Sequence, residues 1–442
     1  MKLVPVIGLE IHIQLGTDMK MFCSCKNDPF FSEENTNVCP VCLGLPGAMP
    51  VPNKTAIESA IKMAMALGAQ INERIVFERK NYFYPDLPKS FQLTCPHNPI
   101  ATGGEFIYEN SKGENGVIHW SEIHLEEDTA KSMHKGEDTL IDFNKSGVPL
   151  LEIVTRPDLE NIDDAVNLCK EIQLIARHIG VSEADMEKGH MRLEANISMR
   201  EEGSKDLPNY RVELKNINSF SFMKKAVQAE IKRQSELLLR GTELVQETRG
   251  YNEEKGVTFP QRSKEDAHDY RYFVEPDIPE IIIDPDWLAR IENSMGPTLS
   301  ELRKDLIKLG VTNKQYREKL VKDKNLYEKY LSVYKALSAS TDMKANSIAS
   351  LVIDSPEYKD MSAVEIIRSV ENKMSNKISV NTDLAPIIQQ VLQENPKAVQ
   401  DYKLGNTNTL QFLVGQVMKK TKGNADPLIT QKLLLTQINT EA

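Results

Sequence analysis

The segment Val6–Leu15, VIGLEIHIQL, constrains the fold more than any other, because apolar residues alternate along it with glycine and polar residues. A period of two is typical of a β-strand that buries one face. Glu10 and His12 lie two residues apart on the polar face, so their side chains point the same way. Such a pair on a rigid strand can hold a divalent metal or polarise a phosphate. A half-solvated sheet face is the plainer interpretation of this strand taken alone.

Further predicted strands also carry charged residues among apolar ones. Residues 116–155 are typical of β-structure, with acids clustered at the end of one strand and Glu152 on the otherwise apolar face of another. A buried carboxylate such as Glu152 is costly unless it binds something. The strands predicted at 191–198 and 211–218 repeat the pattern. The charged or titratable residues of these strands are His124, Glu126, Glu127, Asp128, Arg192, Glu194, Glu213 and Lys215.

The absence of several common motifs limits the kinds of active site that the chain can form. The sequence has no GxxxxGK[ST], GxGxxG or GxSxG pattern, which excludes a P-loop, a Rossmann cleft and the serine nucleophile of α/β-hydrolases. No cysteine has a convincing histidine partner for nucleophilic catalysis. A polar sheet face with acids, one lysine and one arginine is what ATP-Mg²⁺ chemistry needs, since carboxylates hold the metal and cations hold the phosphates.

Four of the six cysteines fall within twenty residues, as Cys23-x-Cys25, thirteen residues, and Cys39-x-x-Cys42. This spacing resembles that of a structural four-cysteine zinc site, although the first pair is one residue tighter than usual. The chain shows no secretory features, so disulfides are disfavoured. We predict a structural zinc, with redox thiols or inert cysteines as the alternatives.

The segment Arg79–Thr94, RKNYFYPDLPKSFQLT, interleaves basic and aromatic residues. On a loop stiffened by two prolines, Lys80 and Lys89 can hold phosphates while the rings stack on bases. An aromatic mini-core is the alternative interpretation of the same residues.

Helices are predicted between the strands and through the last third of the chain. Asn53 is expected to cap one that ends at Gly68. Another helix, at 163–179, places Cys169 on its apolar face and therefore in the core. We also predict a hairpin turn at Asn144–Gly147, and helices from 298 onward.

Charge is unevenly distributed. The net charge is -10, yet residues 301–442 hold 21 Lys and Arg against 16 Asp and Glu. A basic tail, with a cluster at Lys419, Lys420 and Lys422, suits contact with a phosphate backbone, although a solvated lysine-rich surface explains the same composition. The N-terminus lacks a signal-peptide pattern, and no apolar run approaches the roughly eighteen residues of a membrane span. We therefore expect a cytoplasmic protein without membrane contact, with the lumen of an organelle, after loss of a targeting peptide, as the alternative.

Several long motifs, taken together and in order, resemble the GatB family, which supplies the B subunit of the aspartyl/glutamyl-tRNA amidotransferase. The resemblance covers the full chain, with Val274 as a departure where the family has proline. The archaeal relative, GatE, carries a large insertion for which the stretch after DYRYF leaves no room. The matching motifs are VIGLEIHIQL, KMFCSC, CPVCLGLPGAMPVPN, RKNYFYPDLPKSFQL, HLEEDTAKS, DFNKSGVPLLEIV, ANIS, ELKNINSF, DYRYFVEPDI and QFLVGQVMKKTKGNADP.

The resemblance implies an α+β fold and a ligase activity. A cradle domain at 1–293, with a largely antiparallel sheet and the four-cysteine loop, precedes a helical domain at 294–380 and a tRNA-binding helical tail at 381–442. A GatB protein would use ATP-Mg²⁺ to phosphorylate the side-chain carboxylate of Glu-tRNA(Gln) or Asp-tRNA(Asn). Ammonia from the amidase partner would reach the acyl phosphate through a channel, and a third, small subunit would complete the GatCAB heterotrimer.

The resemblance also implies roles for individual residues. The metal and phosphate ligands would be Glu10, His12, Glu127 and Glu152. The lining of the kinase site would be Lys80, Lys89, Arg192, Glu194, Glu213, Lys215 and Asn216. The zinc ligands would be Cys23, Cys25, Cys39 and Cys42, in a structural role. Two rival hypotheses remain open: a tRNA-binding scaffold that has lost its kinase, and a stand-alone zinc protein of RNA metabolism.

Overall fold

The computed structural model describes residues 2–263, 269–382, 384–421, 423 and 425–440, and for 262–263, 375–382 and 439–440 it describes the backbone alone. The chain divides into two compact units, Met1–Leu299 and Ser300–Ala442. The first unit contains the strands and the second is helical, which confirms the predicted α+β class.

The first unit contains sixteen strands in the described residues. In chain order they are β1 (Leu3–Gln14), β2 (Ala69–Ile71), β3 (Arg74–Ile75), β4 (Glu78–Asn81), β5 (Phe91–Thr94), β6 (Ala101–Glu109), β7 (Asn115–Glu127), β8 (Lys131–Lys135), β9 (Asp138–Asp142), β10 (Pro149–Thr155), β11 (Met191–Glu201), β12 (Val212–Ile217), β13 (Glu247–Asn252), β14 (Val257–Ser263), β15 (Phe273–Val274) and β16 (Ile281–Ile282).

Nine of these strands form one sheet, in the order β14-β13-β12-β11-β1-β10-β7-β6-β2. Seven of its eight strand pairings are antiparallel and one, β12 with β13, is parallel. The predicted opening strand is therefore central, with β10 on one side and β11 on the other. A smaller sheet, β15-β4-β5, contains the two ends of the basic and aromatic segment that we predicted as a loop, and residues 82–90 connect its strands β4 and β5.

In its described residues the first unit has four α-helices: α1 (Lys54–Ala66), α2 (Ile162–His178), α3 (Phe220–Leu239) and α4 (Pro285–Ser294). The first three pack against the large sheet. The side chain of Asn53 accepts hydrogen bonds from the N–H groups of Thr55 and Ala56, so the predicted cap is confirmed. Cys169 is buried on α2, as predicted for a core residue.

The predicted hairpin at Asn144–Gly147 is wrong. Residues Phe143–Lys145 form a 3₁₀ helix, and the strands on either side of it have different partners. β9 pairs with β8, whereas β10 pairs with β1 and β7 in the large sheet. The segment has the composition of a turn, but such a local signal does not determine which strands pair.

The second unit contains α5 (Leu299–Lys308), whose first residue falls in the first unit, α6 (Lys314–Lys322), α7 (Lys324–Ser340), α8 (Ala345–Asp354), α9 (Ala363–Thr382), α10 (Leu384–Glu394), α11 (Pro396–Lys403), α12 (Asn408–Lys420) and α13 (Pro427–Thr440). The helices from α10 onward bury a hydrophobic core of their own. The subdivision of this unit at residue 380 stays a prediction. Among the described residues, no helix is both long and apolar enough to cross a membrane.

Candidate active site

On the polar face of β1, His12 lies in the middle of several carboxylate side chains, and we call this set of residues the His12 group. The Nε2 atom of His12 lies 3.7 Å from Glu10 Oε1 and 3.8 Å from Glu126 Oε1. The strand register adds two more acids, because Glu152 of β10 lies opposite His12 and Glu194 of β11 lies opposite Glu10. Two overlapping triads, Glu10–His12–Glu194 and His12–Glu126–Glu152, each have their ligand atoms within 4.8 Å of one another.

Burial makes these carboxylates unfavourable as free anions. Desolvation is the main reason that the pKa values of Glu10, Glu152 and Glu194 rise to about 7, and it also raises the pKa of Glu126. Burial, followed by the nearby Arg192, lowers the pKa of His12 to about 3, so the imidazole is neutral. A neutral imidazole nitrogen among crowded carboxylates fits a divalent cation, whose charge would compensate the acids.

Two lysines supply positive charge at the edges of this group. Lys215 Nζ lies 2.8 Å from Glu194 and 3.2 Å from Glu213, and Thr248 donates a hydrogen bond to Glu213. Burial opposes the charge of Lys80, but Glu126 and other nearby groups, Glu152 among them, together outweigh that effect and raise the pKa of Lys80 above its ordinary value. Both side chains therefore stay cationic at the site.

Asp128 anchors the other end of the polar face. Its carboxylate accepts hydrogen bonds from Arg192 at 3.1 Å, Lys145 at 2.6 Å and Gln14 at 2.8 Å. Burial opposes ionisation, but the two cations outweigh it and hold the pKa of Asp128 well below its usual range. Within the described residues, the buried Nε of Arg192 has no hydrogen-bond partner. Arg192 is thus fixed in direction while keeping donor capacity for a ligand.

The structure does not place Glu127 in the His12 group. Along β7, Glu126 pairs with Leu150 and Glu127 with Pro149, so the two neighbouring glutamates point to opposite faces. The Glu127 carboxylate forms an ion pair with Lys89 and accepts a hydrogen bond from the backbone N–H of Leu93. Strand parity therefore places Glu126, and not Glu127, beside His12, and the ligand role assigned to Glu127 is unsupported by this placement.

Two further predicted lining residues lie apart from the group. Lys89 stays with Glu127, near the rings of Phe22 and Phe91. Asn216 is exposed at a φ of 62°, and no hydrogen bond joins its side chain to the carboxylates in the described part of the chain.

His124 is a neighbour that sequence reasoning did not assign to the site. It lies opposite Glu152 on β7, and its ring nitrogens face the Cys95 carbonyl at 3.1 Å and Glu122 at 3.4 Å. Burial opposes its charge, but the contacts with Cys95 and Glu122 outweigh it and raise the pKa of His124 to about 11. The alternation in IHLEED could have identified both His124 and Glu126, since they share one parity.

The four clustered cysteines converge as their spacing predicts. Their sulfur atoms all lie within 4.8 Å of one another, and the Sγ atoms of Cys39 and Cys42 are 3.8 Å apart. Tetrahedral zinc with bonds of about 2.3 Å to sulfur requires sulfur–sulfur distances of about 3.8 Å. Cys42 accepts a hydrogen bond from the N–H of Cys39, and the Cys23 thiol is the main cause of a lowered pKa at Cys42. The donor set and its geometry fit a closed four-thiolate zinc site.

Two family models match the chain. Residues 5–289 match the GatB/GatE catalytic domain, and residues 344–438 match the GatB domain. The first match spans the large sheet, the His12 group and the cysteine cluster. The second match spans most of the second unit.

Proteins from several organisms are similar to this chain over nearly their whole length. The chain is 40% identical to the B subunit of aspartyl/glutamyl-tRNA(Asn/Gln) amidotransferase from Persephonella marina, over 98% of this chain and 99% of that one. Proteins of the same name from Clostridium kluyveri (37% identical, 99% of each chain) and from a strain of Thermus thermophilus (36% identical, 97% of this chain and 98% of that one) are also similar.

Proposed function

Because the chain belongs to the GatB/GatE family of tRNA amidotransferase subunits, we propose that it is the subunit that activates mischarged tRNA. The substrate would be Glu-tRNA(Gln), Asp-tRNA(Asn) or both. The observation that carries the proposal is the group on the polar face of β1, where a neutral imidazole is shared by two triads that together contain four carboxylates. Such a group suits ATP-Mg²⁺ and the transfer of a phosphoryl group.

The activation step has a clear chemical reason. The side-chain carboxylate of a glutamyl or aspartyl residue is a poor electrophile, whereas its acyl phosphate reacts readily with ammonia. ATP would supply the phosphoryl group and leave as ADP. Ammonia, released from glutamine by an amidase partner, would displace the phosphate to form the amide. A closed route for ammonia would keep water from competing for the same intermediate.

The residues of this chain would divide the work between cation and phosphates. His12, Glu126 and Glu152 would hold Mg²⁺, with Glu10 and Glu194 completing the polar wall. When bound, Mg²⁺ neutralises developing charge on phosphate oxygens. Lys80, Lys215 and Arg192 would bind phosphate or carboxylate oxygens of the substrates, and Asp128 would orient Arg192. Glu213 would hold Lys215 in place.

Zinc would have a separate and structural role. Cys23, Cys25, Cys39 and Cys42 offer four sulfur ligands and leave no position open for a substrate. Zinc there would fix the loop that follows β1. This part of the proposal stands independently of the phosphoryl-transfer site.

The second unit would bind tRNA through its last helices. Their shared core, which runs from Leu384 to Ile438, forms a coherent module at the C-terminal end. Lys419 and Lys420 occupy the last turn of α12, where Lys420 pairs with Glu394, and Lys422 lies outside the described residues. We expect removal of this module to weaken tRNA affinity more than assembly with the partner subunits.

The amidase (GatA) and the small subunit (GatC) would be the partners in a cytoplasmic heterotrimer. The experiment that tests the function uses this complex, with Glu-tRNA(Gln) and Asp-tRNA(Asn) in separate reactions, and measures ADP. We expect ADP formation that requires mischarged tRNA, and its ratio between the two tRNAs identifies the substrate. Bound tRNA without tRNA-dependent ADP would contradict the proposal and leave a tRNA-binding scaffold.

A further inference from the structure

Lys20 is a fully buried lysine beside the cysteine cluster. Its Nζ donates hydrogen bonds to the carbonyl oxygens of Asn37 at 2.9 Å and Phe143 at 3.3 Å, and it lies 3.8 Å from the Sγ of Cys42. Among the described residues, no carboxylate lies within 4.0 Å of this ammonium group. A buried cation without an anionic partner is strongly unfavourable. The surroundings of Lys20 therefore require a negative charge that no carboxylate supplies.

The cysteine cluster becomes anionic when it holds a metal. Cysteine binds zinc as the thiolate, so a Zn²⁺ ion with four such ligands carries a net charge of about -2. The four sulfur atoms already lie within 4.8 Å of one another, and those of Cys39 and Cys42 have the 3.8 Å separation that this centre needs. The position of Lys20 against Cys42 thus puts a buried positive charge next to a centre that would be negative.

We propose that Lys20 is the counter-ion of a four-thiolate metal centre formed by Cys23, Cys25, Cys39 and Cys42. The inference rests on the zinc part of the proposed function and is independent of ATP chemistry. Lys20 acts through the thiolates and is a positioning residue. The centre and the lysine stabilise each other, since each compensates the charge that makes the other costly to bury.

The same lysine connects the metal centre to the strand that carries Glu152. Phe143 opens the 3₁₀ helix that precedes β10, and the N–H of Met21 donates a hydrogen bond to the carbonyl of Gly147 at 2.7 Å. An added Cβ at Gly147 would lie 3.5 Å from Cys42 Cβ and 3.5 Å from the Lys20 side chain. The charge pair therefore sits where the cysteine loop packs against the start of β10.

Zinc competition against a chromophoric chelator tests the proposal on the purified full-length chain. Lys20→Met should lower zinc affinity about 10- to 100-fold, the range typical of groups that support metal ligands. The matched control is Lys26→Met, which removes an exposed lysine next to Cys25 that pairs with Asp28. We expect the control to change zinc affinity by less than about threefold, because solvent screens its charge.

Thermal unfolding of the same variants, with zinc and with the zinc removed, separates a counter-ion from a residue that only holds the loop. Zinc removal should lower the unfolding temperature of the wild type more than that of Lys20→Met, because only the wild type is left with an unpaired buried cation. If Lys20→Met does not fold, Lys20→Gln, which keeps donors for the two carbonyl groups, is measured in the same way.

Three outcomes would overturn the inference. The first is an unchanged zinc affinity in the Lys20 variants. The second is a fall in unfolding temperature from the wild type to Lys20→Met that is equal with and without zinc. A wild-type chain that binds no zinc is the third, and it would also remove the zinc proposal. The tRNA-dependent ADP assay reports on the kinase separately, so failure here and failure of the proposed activity are distinguishable.

Discussion

The two faces of β1 differ in what holds them in place. Ile7, Leu9, Ile11 and Ile13 are almost fully buried on one face, which packs against α2, and their burial stabilises the fold. On the other face, burial works against the residues, because it raises the pKa of Glu10 and its neighbours. The stability supplied by the apolar face therefore offsets the cost of a polar face that is unfavourable until it binds a cation.

The largest expected effect is on activity, from Glu152→Gln. The side chain keeps its shape but loses the charge that would bind Mg²⁺, and Lewis-acid stabilisation contributes several kcal/mol to such reactions. We expect tRNA-dependent ADP formation by the complex to fall about a thousandfold. Glu160→Gln, an exposed partner of Arg200, is the matched control and should stay near wild type. Comparable losses in both variants would break the comparison.

Ile11→Ala tests the apolar face. Ile11 is fully buried, so its truncation should lower the free energy of unfolding by about 2–5 kcal/mol, as for other large-to-small core changes. Denaturant unfolding measures the change. ADP formation per folded molecule should stay close to wild type, and a loss of activity that exceeds the folded fraction would show that the two faces are not separable.

Glu126→Gln and Glu127→Gln compare two neighbouring residues of β7 that point to opposite faces of the sheet. We expect Glu126→Gln to weaken Mn²⁺ binding about tenfold or more, since the carboxylate is part of the His12 triad. Glu127→Gln instead breaks the buried pair with Lys89 and should cost about 3 kcal/mol of stability, with a smaller effect on Mn²⁺. Calorimetry of both variants decides, and the opposite pattern would restore Glu127 as the ligand.

The smallest effect is a pH dependence of stability without divalent cations. Carboxyl groups whose pKa rises from 4.5 to about 7 bind more protons folded than unfolded. Between about pH 4.5 and 7 their contribution to stability therefore falls as pH rises. Mutating Glu10 to Gln should flatten this slope. Over the same range Mg²⁺ affinity should increase, because the ion competes with protons for the same oxygens, and titrations at pH 5.5 and 7.5 measure that increase.

Much of this arrangement was predictable from strand periodicity. The alternation in VIGLEIHIQL predicted the central strand and the direction of Glu10 and His12, and the cysteine spacing predicted a cluster of sulfur atoms. The family resemblance assigned the ligand role to Glu127, whereas alternation along β7 places Glu126 on the face of His12. Local sequence signals do not determine which strands pair, and the predicted hairpin at Asn144–Gly147 was wrong for that reason. Lys20 could not be foreseen, because its burial depends on contacts with residues far apart in the sequence.

The most direct test of the polar face is the unfolding temperature of the chain with and without Mg²⁺, for the wild type and Glu152→Gln. We predict that Mg²⁺ raises the wild-type value, because a ligand that binds only the folded state stabilises it. Without Mg²⁺ the variant should unfold at a higher temperature than the wild type, and Mg²⁺ should leave the variant unchanged. A wild type that does not respond to Mg²⁺, or a variant that responds equally, would contradict the account.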